Sequence, residues 1–294
     1  LGGVIAVCIA LYDKFILNLN PDQNPRIMHI QGGDISMSLG IFSLIIALYA
    51  HHKKDVKLTT LSVIGGLCGI VGSLLSTARG GWVALPVLLV VILYIYRQSL
   101  SKRFFLTFFG IIVIASIGIS QMPNNRIMER IDVAQKDIQL YLDNHDGNTS
   151  LGARFEMWKS ALEMAKEKPL FGWGIQGATE KRKLDTKEKI ATGNIGQFTH
   201  AHNQYLDDLS KRGIVGLLAL LAVLFIPLRA FMKELKTTND EIKLIATLGV
   251  AHILSVMIYG LSQGFLVHNS GTIFYFFLTI VFYAAIRTHQ KAES

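Results

Sequence analysis

Charge is scarce in this chain. Only 17% of its 294 residues are Asp, Glu, Lys or Arg, against about 25% in soluble domains. With 51% hydrophobic residues and a mean hydropathy of +0.39, that deficit excludes an ordinary soluble enzyme and indicates a polytopic membrane protein. Cysteine is nearly absent. Cys8 and Cys68 both lie in apolar runs, where they read as buried thiols rather than a disulfide or a metal site. P-loop and HExxH motifs are missing, and no acidic pair is placed as a nucleotide-sugar metal site, so soluble nucleotide substrates are not expected. The net charge of +8 is no sign of nucleic-acid binding, because basic residues on a membrane protein mark its cytoplasmic loops.

What is present is a series of membrane-length apolar runs. Leu1 to Leu19 is broken by Asp13 and Lys14 and reads as the end of a helix. It has no basic region before it and does not read as a signal peptide. Because the chain opens on Leu1 within an apolar stretch, earlier transmembrane helices are expected to precede it. Spans are expected at 35–50, 58–75, 82–96, 104–120, 214–228, 244–261 and 272–286. The loops at 51–57, 97–103 and 229–243 and the C-terminal tail are basic. Alternating the spans puts all four on one side, the cytoplasm. The polar stretch 121–212 then lies outside, with the turns at Arg79 and His268. The expected fold is all-α: transmembrane helices with short loops over 1–120, a large helical periplasmic region over 121–212, and C-terminal transmembrane helices with a cytoplasmic tail over 213–294.

The outer region has its own periodicity. Ile127, Ile131, Ala134, Ile138 and Leu142 predict an amphipathic helix over 125–142. Asn148, Thr149 and Ser150 offer N-caps. A second helix is predicted over 151–168, stopped by Pro169, with a turn at Phe171-Gly172-Trp173-Gly174. The polar run 182–199 is expected to be mobile. Gln197 to Gly213, with two histidines one residue apart, leads directly into the next span.

Three side chains carry candidate chemistry. Arg79 stands between two spans, where an arginine is costly and needs a partner or a function. Gly80 and Gly81 permit close backbone approach, and the following helix N-terminus suits an anion; the alternative is an arginine snorkelling to headgroups. Arg154 falls in the first turn of its helix, where a cation is disfavoured, so it either binds an anion or pairs on the surface with Glu156 or Glu129. His202, Leu206 and Leu209 share a helical face if a helix starts near His202. Its positive end would keep the imidazole neutral, as a general base requires; a capping or core histidine is the alternative. His200-Ala201-His202 also resembles a metal pair, but without the three or four ligands a tetrahedral site needs. Two guanidinium forks suit a diphosphate, and a base beside it suggests hydroxyl attack with diphosphate leaving. A lipid-linked diphosphate sugar is the natural substrate in the outer compartment, where nucleotide-activated donors are generally lacking.

Four motifs carry a family resemblance. Ser76-Thr77-Ala78-Arg79-Gly80-Gly81-Trp82, Gly152-Ala153-Arg154-Phe155-Glu156-Met157-Trp158, Phe171-Gly172-Trp173-Gly174 and His200-Ala201-His202-Asn203-Gln204-Tyr205-Leu206 together resemble the O-antigen ligase and polymerase superfamily, most of all its ligases. The resemblance implies a GT-C-type helix bundle in the bacterial inner membrane. It implies an inverting glycosyltransferase with no metal or other cofactor, working on the periplasmic face. The donor would be O-antigen on undecaprenyl diphosphate, the acceptor lipid A–core, with membrane lipids around both. Arg79, Arg154 and His202 match the family's functional positions, with Gly80, Trp158, His200 and Asn203 expected in the substrate site. An O-antigen polymerase and a protein O-oligosaccharyltransferase share these motifs. A transporter without chemistry is the rival from another class.

Overall fold

The computed structural model describes residues 1–17, 29–76, 79–98, 100 and 126–293, with side chains for all of these except 79, 126–130 and 293. Ten α-helices and no strand occur among the described residues: α1 (Gly2–Phe15), α2 (His29–His52), α3 (Val56–Leu75), α4 (Arg79–Tyr96), α5 (Arg126–Asn144), α6 (Ser150–Glu167), α7 (Gly174–Lys187), α8 (Gln204–Glu234), α9 (Asp240–Tyr259) and α10 (Asn269–Glu293). Of these, α2, α3, α8, α9 and α10 are long and apolar enough to cross a membrane, and α4 is apolar but shorter. The protein is a multi-pass helical membrane protein. The span expected at 104–120 lies outside the described residues.

The chain forms two compact units, one of residues 1–95 and 219–294, the other of residues 96–218. In the first unit, glycines set the closest helix contacts. A methyl on Gly69 of α3 would lie 2.6 Å from Gly40 Cα of α2, and one on Gly3 of α1 would lie 2.6 Å from Gly65 O. Small residues at membrane helix crossings let backbones approach and gain dispersion energy, the main attraction where lipid is as apolar as the side chains. Asp55 Oδ1 caps α3 by accepting from Leu58 N at 2.9 Å, and Asn239 Oδ1 caps α9 by accepting from Glu241 N and Ile242 N. Interior polar groups pair across helices. Ser38 Oγ and Tyr259 Oη are 2.9 Å apart, and His252 Nε2 is 3.0 Å from Tyr275 O.

The basic segments meet. Lys53 reaches Asp240 at 2.8 Å, His289 reaches Glu241 at 3.2 Å, and Gln290 Nε2 donates to Glu234 at 3.0 Å. The 51–57 loop, the α8–α9 connection and the chain's end therefore share one end of this unit, as alternation of the spans requires.

The second unit holds α5, α6, α7 and the beginning of α8. Thr149 Oγ1 caps α6 through Gly152 N at 3.0 Å. Asp137 Oδ2 of α5 accepts from Leu151 N at 3.2 Å, placing negative charge where the helix end is positive. The polar stretch 182–199, expected to be mobile, starts in a helix: α7 runs through to Lys187 and Arg182 is completely buried. The reason is a tertiary ion pair, described below, that periodicity does not reveal. Gly213 breaks α8 with φ +66° and ψ −163°. Ile214 N and Val215 N donate to Pro169 O at 2.8 Å and Leu170 O at 3.3 Å, so the break leaves these donors satisfied. It separates the polar start of α8 from its membrane-length part.

Candidate functional site

The second unit brings two of the expected residues to one cleft. Arg154 and His202, together with Asn148, Asn194 and Gln197, line a cavity of about 320 Å³ floored by Ala153, Met157 and Phe198. The polar half comes from three separate pieces of chain: the cap of α6, the loop before the 3-10 turn Ile195–Gln197, and the loop before α8. Gly147 and Gly193 weld the first two loops together. Gly193 has φ +88°, and a methyl there would lie 2.2 Å from Gly147 O. Glu156 braces the same wall. It accepts from Tyr141 Oη at 2.7 Å and from Thr192 N at 3.0 Å. Burial and that bond push the Tyr141 hydroxyl up to about 12. The side chain of Glu129 lies outside the described residues.

His202 differs from its expected setting in one respect. It is not on the helix. Asn203 Oδ1 accepts from Tyr205 N at 3.0 Å and Leu206 N at 3.1 Å, so Asn203 is the N-cap and α8 starts at Gln204. His202 precedes the cap with φ +49°, in the left-handed region that costs non-glycine residues energy and collects at functional sites. An Asn cap supplies a carbonyl oxygen for the free amides of the first turn, and that starts the helix two residues later than a helix starting at His202.

The loop carrying both histidines is tied through four of its backbone groups. Trp158 Nε1 donates to Ala201 O at 3.0 Å. Ala201 N donates to Asp207 Oδ1 at 2.9 Å. Arg182 Nη1 donates to Phe198 O at 3.3 Å, and Lys211 Nζ donates to Thr199 O at 2.9 Å. Arg182 and Lys211 also bind Asp207, at 3.3 Å and 2.6 Å. Burial pulls the Arg182 guanidinium below its ordinary value, and Asp207 partly opposes that. Below the loop lies a small core of Met157, Ala161, Ile195 and Ala201. The His200 ring packs 4.4 Å from that of His202, and Phe198 packs edge-on at 5.5 Å.

Each remaining expected residue has a definite place. Trp158 lies between the histidine loop and a surface groove shared with Tyr141 and Phe155. Asn203 caps α8. The neighbouring carboxylates are engaged, Asp207 as above and Asp208 with Gln204 and Arg212. No group of three or more His, Cys, Asp or Glu suited to a metal occurs among the described residues. In the first unit, Arg79 opens α4, and its side chain lies outside the described residues. Gly80 sits over the fully buried Asp34. A methyl on Gly80 would lie 2.9 Å from Asp34 Oδ1 and 3.3 Å from Ser262 Oγ. The residues that the sequence did not assign to the substrate site are Asn148, read there only as an N-cap, Asp207, considered only as a metal ligand, and Asn194, Gln197, Arg182 and Lys211. Only the Asp207–Lys211 spacing of four within one helix carried a local signal.

Residues 64–221 match a family model described as O-antigen ligase. The chain is 42% identical over 281 residues to an uncharacterized protein of Haemophilus influenzae, covering 96% of this chain and 70% of that one. It is 26% identical over 195 residues to a protein of Escherichia coli named O-antigen ligase, covering 65% and 44%. It is 27% identical over 124 residues to the exopolysaccharide production protein ExoQ of Rhizobium meliloti, covering 40% and 28%. The chain thus spans less than half the length of either of these last two relatives.

Proposed function

The chain belongs to the O-antigen ligase family, and on that premise we propose that it is an O-antigen ligase of the bacterial inner membrane. It moves O-polysaccharide from undecaprenyl diphosphate to lipid A–core on the periplasmic face. The observation that carries this reading is the shared cleft of Arg154 and His202. A base and a guanidinium at one cavity suit an acceptor hydroxyl and a departing diphosphate.

The reaction is written as a single inverting displacement. His202 takes the proton of an acceptor sugar hydroxyl. Its oxygen forms a bond to the anomeric carbon as the carbon–oxygen bond to the diphosphate breaks. Arg154 holds the negative charge that grows on the leaving group. Arg79, assigned from its motif alone, supplies a second fork. General base catalysis contributes about 10²–10⁴-fold, and charge stabilisation of the leaving group contributes as much or more. No metal is needed, because the guanidinium groups take the role of a cation. Asn148, Asn194 and Gln197 offer amide donors and acceptors, which suit sugar hydroxyls.

The test is transfer of lipid-linked glycan to lipid A–core by the protein in membranes, with and without EDTA. His202→Ala should abolish attachment while protein level stays normal. Full attachment would remove histidine from the mechanism, and a loss in EDTA that added metal reverses would remove the metal-free step. The similarity to an exopolysaccharide production protein favours a second reading, polymerisation, with another lipid-linked glycan as acceptor. Lipopolysaccharide gels of a deletion strain separate the two. Core bare of O-antigen indicates ligation, and a single repeat on the core indicates polymerisation.

A further inference from the structure

We propose that Asp207 is the positioning residue for His202, acting through the histidine loop without touching substrate. This rests on the reading of His202 as the base. Three observations carry it. Asp207, Arg182 and Lys211 are 1%, 0% and 4% exposed, so two cations and one carboxylate are held away from water together. Buried ion pairs of this kind are a poor source of stability compared with apolar packing, because desolvation offsets the attraction. Their retention calls for another purpose.

The second observation is where their hydrogen bonds go. Asp207 gathers Ala201 N, Arg182 and Lys211, and the two cations reach on to Phe198 O and Thr199 O. The cluster therefore grips three backbone groups of the four residues before His202. The third is the left-handed backbone of His202, φ +49°. A strained conformation persists only where its surroundings over-determine it, and the grip on residues 198–201 provides that. The cluster fixes the direction in which the imidazole enters the cleft. A displacement of about 1 Å in such a group costs about 100-fold in rate.

The experiment measures transfer kinetics and thermal melting of the purified full-length protein, using undecaprenyl-diphosphate-linked glycan and lipid A–core. Asp207→Glu keeps the charge but lengthens the side chain, so it should fold normally and lower kcat at least tenfold with KM for both substrates within about twofold. Asp207→Asn leaves two buried cations short of a partner and should melt early. Adding Lys211→Met removes one of those cations. That double variant should regain melting temperature without regaining kcat, since the Thr199 tether and the anionic anchor are gone. Recovery of kcat together with stability, or wild-type kcat in Asp207→Glu, would overturn the positioning role. Should the double variant not fold, the kcat of Asp207→Glu decides alone. If His202→Ala keeps full activity, the base assignment fails instead, and that outcome is read independently of the Asp207 variants.

Discussion

The indole Nε1 of Trp158 donates to the carbonyl of Ala201 at 3.0 Å. One residue on α6 thus reaches the backbone immediately before His202, four residues from Arg154 on the same helix. Trp158→Phe keeps most of the ring packing against Phe155, whose centroid lies 5.7 Å away, and loses the bond. A hydrogen bond is worth about 0.5–1.5 kcal/mol net. Turnover should therefore fall about threefold to tenfold, with protein level maintained. Steady-state transfer kinetics check this. An unchanged kcat would mean that the bond has no influence on the loop.

Asn203 gives a sharper discrimination, because it had two possible duties. As the cap of α8 it needs only an acceptor oxygen, so Asn203→Asp should retain activity and stability. Asn203→Ala should lose about 1 kcal/mol of stability and melt a few degrees lower. A large loss of transfer in the Asp variant, with normal melting, would instead make Asn203 a substrate contact.

How much of this was readable from the chain depends on the range of the forces involved. The spans of α2, α3, α9 and α10 follow from local hydropathy. The break at Gly213 falls where the polar run meets the apolar one. The starts of α5 and α6 follow from periodicity and caps. What escaped was long-range. Arg182 looks like a solvated charge in a polar stretch, and only its approach to Asp207 buries it. Asn148 looks like a helix cap and Asn194 like a loop residue until the Gly147–Gly193 contact draws both to the cleft. The i, i+4, i+7 spacing puts His202 on a shared face only if a helix starts near it, because spacing counts residues and takes no account of the cap at Asn203.

Gly213 tests the break itself. Its φ is +66°, and a methyl there would lie 2.2 Å from Leu170 O. Left-handed backbone alone costs other residues roughly 1–2 kcal/mol, and the overlap adds to it. Gly213→Ala should therefore sharply reduce the amount of folded protein recovered from membranes, as read by fluorescence-detected size exclusion. Wild-type recovery would show that α8 can straighten without penalty.

The carboxamides of the cleft predict a change in affinity rather than in chemistry. Gln197 and Asn194 are exposed side chains on the cavity wall. Their replacement by Ala should leave melting unchanged. Each should raise the KM for one glycan substrate about threefold to tenfold, the loss of one hydrogen bond to a sugar, with kcat little altered. A fall in kcat at constant KM would place these amides in the transition state. No effect on either parameter would leave the sugar elsewhere.

Arg154 decides between charge and geometry. Arg154→Lys keeps a cation on the same helix but replaces a planar fork of five N–H donors by a point charge. If Arg154 grips a diphosphate through two parallel bonds, the Lys variant should lose at least 30-fold in kcat/KM, and Arg154→Gln should lose more. The expected split is mainly in kcat, because the charge on the leaving group is greatest in the transition state. Equal activity of the Lys variant and the wild type would show that a cation suffices there. Equal activity of the Gln variant would show that Arg154 serves the cleft wall and not the reaction.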